Sequence, residues 1–149
     1  MPSPEKYLIG LDPGVDTGYS AWNGNQLVIV SSDMIHRVMA KIKKWNEVYR
    51  ILVRMEDARK RKWFGQSARE QLQGAGSIKR DCKIWEDFFK DNKIAYELVA
   101  PKNNKTKMSA DTFKRMTGYK GLTNEHGRDA ACLVFGYNCK SKFDLHAMI

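Results

Sequence analysis

Residues 6–11, Lys-Tyr-Leu-Ile-Gly-Leu, form a short apolar run that stops at Asp12-Pro13-Gly14, a turn signal, and predict a buried strand. Residues 17–23 and 26–31 are two further β-prone runs with Asn23-Gly24 between them, the composition of a tight hairpin. The opening is thus expected to be a three-stranded antiparallel meander. Over residues 34–46 the apolar positions change period: Ile35, Val38, Met39, Ile42 and Trp45 fall at helical spacing. From Tyr49 to Met55 the period is two again, with Ile51, Val53 and Met55 alternating, which predicts a fourth strand. A basic loop follows at 57–66. A helical stripe then runs from about Ala68 to Asp91 through Ile78, Cys82, Trp85, Phe88 and Phe89, with Gly74-Ala75-Gly76 as a candidate break. Residues 94–99 predict a fifth strand closed by Pro101, residues 109–117 a short helix, and residues 123–137 a final helix.

The expected order is β-β-β-α-β-α-β-α-α. Helical crossovers make the later strands parallel neighbours of the first, giving an α/β fold with a five-stranded mixed sheet flanked by helices. The 149 residues suit one domain, 1–149, large enough to bury a core without disulfide or metal. No run approaches a membrane span or a signal peptide, so a cytoplasmic protein without membrane association is expected. Cys82, Cys132 and Cys139 form no paired-ligand motif and read as reduced thiols, with a zinc site from Cys132, Cys139 and His146 as the minor alternative at that spacing. Charge changes the picture more. Lys and Arg total 26 against 17 Asp and Glu, a net +9, for which a polyanion is the natural partner and a solvated basic surface the alternative.

Four residues carry candidate chemistry. Asp12 ends the first strand, where the crevice beyond a parallel sheet opens; taken alone, Asp-Pro-Gly also reads as a plain turn. Glu56 closes the fourth strand and neighbours Asp12 if the two strands are adjacent, though a surface Glu paired with Arg54 or Arg59 is the alternative. Asp57 alternates to the opposite face. His126 and Asp129, three apart at the start of the last helix, share a face, and Ala130, Leu133 and Tyr137 suggest that it points inward; the alternative is a helix-capping role for either. Together these donors are rich in hard oxygen, a set for Mg²⁺ or Mn²⁺ rather than zinc. Two such ions can activate water and stabilise a departing 3′ oxygen.

Ile9-Gly10-Leu11-Asp12-Pro13-Gly14 followed by Thr17-Gly18-Tyr19 resembles the opening motif of RuvC-type Holliday-junction resolvases, which have the RNase H-like fold. Glu56 falls where that family has its second carboxylate, Leu72 to Gly76 resembles the glycine-containing helix start after it, and His126-Gly-Arg-Asp129-Ala-Ala resembles the closing motif. The resemblance implies a homodimeric endodeoxyribonuclease that nicks branched DNA in recombination and repair. It implies Asp12, Glu56, His126 and Asp129 as catalytic metal ligands, with His126 alternatively assisting proton transfer. The segment Arg59-Lys60-Arg61-Lys62-Trp63-Phe64 is more basic than the family pattern, with its stacking aromatic displaced to Trp63 or Phe64. DNA contacts are expected from Arg59, Lys60, Arg61 and Lys62, from Trp63 or Phe64 stacking on an unpaired base, and from Lys102, Lys105 and Lys107 beyond the fifth strand. Packing on the sheet edge is the alternative for the two aromatics. Rival readings are a nuclease of the same fold acting on RNA–DNA hybrids or on flap and fork DNA, a nucleotide-binding domain built on the Gly10–Gly14 loop, and an inactive binding module.

Overall fold

The computed structural model describes residues 6–60, 67–101 and 108–140. Strands β1 (Lys6–Asp12), β2 (Asp16–Asn23) and β3 (Gln26–Met34) form the meander, followed by helix α1 (Ile35–Val48) and strand β4 (Arg50–Glu56). A single 3₁₀ turn at Ala58–Lys60 leads to helix α2 (Ser67–Asp91), strand β5 (Tyr96–Val99), and helices α3 (Ala110–Thr117) and α4 (Glu125–Lys140). The element order is the expected one. The expected break at Gly74-Ala75-Gly76 does not occur: α2 runs through it, because a glycine inside a long helix weakens the helix without ending it.

The sheet order is β3-β2-β1-β4-β5, with β1 antiparallel to β2 and parallel to β4, and β4 parallel to β5. The β2–β3 loop is Gly24-Asn25; Gly24 takes φ 60°, the positive angle that the first residue of a type II′ turn requires. A bulge beside Ala21 and Trp22 sets Leu27 and Val30, three apart in sequence, on the same face of β3.

Alternation splits the core into two layers. Ile9, Leu11, Tyr19, Val53 and Met55 face α1 and α2, where they meet Val38, Ile42, Cys82, Trp85 and Phe89. Leu8, Trp22, Leu27 and Val30 face the other way, onto Phe113 of α3 and Ala131 and Val134 of α4. The result is three layers, helices on both faces of a mixed sheet. Among the described residues no helix is long and apolar enough to cross a membrane.

Candidate active site

Position within β1 determines where Asp12 points. Leu8 packs against the α4 layer and Ile9 and Leu11 against the other, so Gly10 and Asp12 share the α4 face. In β4 the register pairs Gly10 with Arg54 and Leu11 with Met55, which puts Glu56 next in line beside Asp12 and on the same face. Both carboxylates therefore stand at the C-terminal edge of the sheet, half-buried, on adjacent parallel strands.

Helix α4 lies against this face with almost no side chain between. A Cβ on Gly10 would collide with the Ala130 carbonyl, and one on Gly18 with the His126 carbonyl. Gly18 is the register partner of Asp12, so its contact with the first turn of α4 brings that turn to the carboxylate edge. Thr17, fully buried, donates from Oγ1 to the Gly14 carbonyl at 2.8 Å and closes the turn after Asp12. The Thr17-Gly18-Tyr19 element thus has a physical reading: a turn clasp, a close helix approach, and a ring buried in the opposite core layer.

His126 and Asp129 require a correction. The inward arc of α4 is Gly127, Ala130, Ala131 and Val134, all buried, whereas His126 is exposed and Asp129 half-buried. The expected buried His–Asp pair is not formed; small residues take the inward positions because the helix backbone itself rests on the glycines of the sheet. Asp129 stands instead on a flank of α4, one turn before Leu133. The Leu133 carbonyl accepts from Arg54 Nε at 3.3 Å, so this flank leans toward β4. The capping alternative falls as well: Asn124 Oδ1 accepts from the Gly127 amide at 2.8 Å, and Asn124 Nδ2 donates to Ser32 Oγ at 2.8 Å.

Asp57 is on the opposite face from Glu56, as alternation requires, and is 2% exposed. Its carboxylate accepts from the Arg59 amide at 3.0 Å, from Nε at 2.8 Å and from Nη2 at 3.0 Å. Arg59 Nη2 also reaches Glu86 Oε1 on α2 at 3.0 Å, and the Tyr96 hydroxyl donates to Glu86 Oε2 at 2.9 Å. Burial pushes the Asp57 carboxyl up, but the bonds and charge of Arg59 outweigh it and hold the group below its ordinary value. Glu86 is likewise lowered, by Tyr96 and then Arg59. Arg59, expected among the phosphate contacts, therefore serves as an internal strut between the end of β4 and α2. The Cys82 thiol, pushed up to about 11 by burial, donates to the Glu56 carbonyl at 3.8 Å and props the same strand end.

Lys60 is exposed, its Nζ bonded to the Leu98 carbonyl at 3.3 Å at the end of β5. Val99 pairs with Glu56, so the chain leaves β5 at the carboxylate edge. Arg61, Lys62, Trp63, Phe64, Lys102, Lys105 and Lys107 lie outside the described residues, as does the side chain of Tyr137. Arg54, named from the sequence only as an alternative partner of Glu56, ties three elements together: Nε to α4 and Nη1 to Glu97 of β5 at 2.6 Å. Its period-two position beside Gly10 was the available signal.

Asp12 and Glu56, oxygen donors on adjacent strands at one sheet edge, suit a hard divalent cation in chemistry, and Asp129 on the flank of α4 is a further oxygen donor. Among the described residues, which include Asp12, Glu56, His126 and Asp129, no three His, Cys, Asp or Glu side chains are grouped to hold a metal ion. Mg²⁺ does not need such a group, since it usually keeps several waters and takes only one or two carboxylates.

The strand order, the parallel β1–β4–β5 half and the helices on both faces define an RNase H-like α/β fold. No family model matches the chain, and no curated protein matches it. Among solved structures it is similar to the resolvase of fowlpox virus, solved in complex with its substrate Holliday junction DNA. The TM-score is 0.52 at 12% identity, over 90% of this chain and 99% of that one. At that identity the likeness is one of fold.

Proposed function

We propose that this chain is a structure-selective endodeoxyribonuclease that nicks branched DNA, Holliday junctions first, by metal-assisted phosphodiester hydrolysis. The observation that carries the reading is the shared face of Asp12 and Glu56 at the edge where glycines admit the first turn of α4. The fold shared with a resolvase supports it, and so does the net charge of +9.

In this reading Asp12, Glu56 and Asp129 hold one or two Mg²⁺ or Mn²⁺ ions. When bound, these supply the activation of water and the neutralisation of charge on the leaving 3′ oxygen. His126, exposed at the rim, holds or moves a proton at its imidazole. Lys60 contacts the backbone beside the scissile phosphate, joined by Arg61, Lys62, Lys102, Lys105 and Lys107, and Trp63 or Phe64 stacks on an unpaired base. A homodimer would set two such sites on a two-fold symmetric junction. The work belongs in the cytoplasm, in recombination and repair.

The test is cleavage of end-labelled four-way junction, fork, plain duplex and RNA–DNA hybrid with Mg²⁺ or Mn²⁺, beside Asp12→Asn. Symmetric nicking of the junction, abolished in Asp12→Asn with binding retained, is the expected result. Cleavage of the hybrid or fork alone would keep the site and refute the substrate. No cleavage of any substrate with either metal would refute the site.

A further inference from the structure

At the opposite edge of the sheet a groove of about 570 Å³ opens at the N-terminal ends of β1 and β4. Lys6 and Arg50, the first residues of those strands, are register partners and line it together with Lys93, Asn46 and Tyr49. Among the described residues no acidic side chain lines the groove, and Lys6, Arg50 and Lys93 take part in none of the ion pairs. Of the acids close by in sequence, Glu47 and Asp91 are not among the lining residues, and Glu5 lies outside the described residues. Two cations side by side on neighbouring strands repel each other, and a third adds to the repulsion.

Lys93 makes the arrangement less ordinary. Two residues past the end of α2 it takes φ 54°, a left-handed conformation in which glycine or asparagine sits more easily. The Ile94 amide bonds to the Phe89 carbonyl at 2.8 Å, so the backbone there is that of a helix stop. A lysine is thus held where backbone preference disfavours it, and its charge joins two others that have no acidic counterpart among the described residues.

We propose that this groove is a second phosphate-contacting site for duplex DNA, remote from the carboxylate edge. The proposal rests on the nuclease reading only for its role in cleavage; binding stands without it. A strand rises about 3.3 Å per residue, which sets Lys6 about 20 Å from Asp12. At 3.4 Å per base pair the phosphates in the groove therefore lie about six or more base pairs from the scissile one. Contacts so placed add affinity and register without entering the chemical step.

The test compares wild type with Lys6→Gln/Arg50→Gln/Lys93→Gln. A charge-matched control, Arg80→Gln/Lys83→Gln/Lys114→Gln, changes exposed positions on α2 and α3. Binding to a labelled four-way junction with long arms and to a linear duplex is measured in EDTA over a range of NaCl. Three lost phosphate contacts would lower the slope of log affinity against log salt by about 2.7, and the control would change it by less than one. Ethylation interference would lose phosphates six or more base pairs from the crossover in the groove variant only. Single-turnover cleavage at saturating protein would be unchanged, and the groove variant would melt no lower than wild type.

An unchanged slope in the groove variant, or an equal loss in the control, overturns the proposal. If wild type binds and the groove variant loses the slope but no substrate is cut with any metal, the groove stands and the nuclease reading falls. If junctions are cut and the slope is unchanged, the reverse holds.

Discussion

Substituting Gly10 with alanine tests whether the close approach of α4 builds the site. A Cβ at Gly10 would stand 2.9 Å from the Ala130 carbonyl carbon, nearer still to its oxygen, and 2.6 Å from Ser20 Oγ. The serine can rotate away, but the carbonyl is backbone in the middle of a helix. Ordinary contact begins near 3.4 Å, so α4 must retreat from the sheet by roughly 1 Å or more. Overpacking of this kind costs about 1–3 kcal/mol, and a rigid carbonyl argues for the upper end. On the proposed reading, a displacement near 1 Å at Asp129 relative to Asp12 and Glu56 is of the size that lowers catalysis about 100-fold. Urea unfolding would measure the first effect. Single-turnover cleavage at a temperature where both proteins are folded would measure the second. Gly76→Ala is the internal control: nothing lies within 4 Å of its Cβ position, and in the interior of α2 the change should stabilise by up to about 1 kcal/mol. If Gly10→Ala were as stable and as active as wild type, the glycine contact would not be what sets α4 against the carboxylates.

Asp57→Asn should destabilise by roughly 2–3 kcal/mol at pH 7, because it leaves the Arg59 guanidinium without its buried partner. The folded carboxyl lies below its ordinary value of 3.8, so its contribution is complete above that pH and is lost as pH falls through the lowered value. Urea unfolding of both proteins should therefore show the gap at pH 7 and its shrinkage below about pH 4; a gap of the same size at pH 3 would contradict the assignment. Ser20 is fully buried and its hydroxyl has no hydrogen-bond partner among the described residues, so Ser20→Ala should leave stability unchanged or raise it by up to about 1 kcal/mol. A loss of more than 1 kcal/mol in the same unfolding assay would show that the hydroxyl has a partner.

Period told most of the fold. Alternation at Ile51, Val53 and Met55 located β4 and, with it, the opposite faces of Glu56 and Asp57. The glycine pair in α2 misled because local propensity is a weak prior against a long apolar stripe through Cys82, Trp85 and Phe89. The site was legible where it depends on side-chain direction within a strand. It was not legible where it depends on backbone contact. His126 and Asp129 share a helical side, but which side faces the sheet was decided by Gly10 and Gly18 meeting carbonyls, a contact between atoms every residue has. Arg59 read as a DNA contact, or as a partner of Glu56, because Glu86, its second partner, lies far along the chain on α2.

The pinning of α4 on β1 and β2 has a consequence for when the site comes into being. Asp12 and Glu56 are synthesised early, but the turn carrying Asp129 comes late, and α4 must be complete enough to rest on Gly10 and Gly18. At about 5–20 residues per second, the first carboxylate waits on the order of ten seconds for the last. A nascent chain that stalls or ends before α4 holds two acids on a sheet with one face uncovered, and the candidate site incomplete. For a protein proposed to cut DNA, the order of synthesis would act as a safety: damaging activity arrives only with the finished fold.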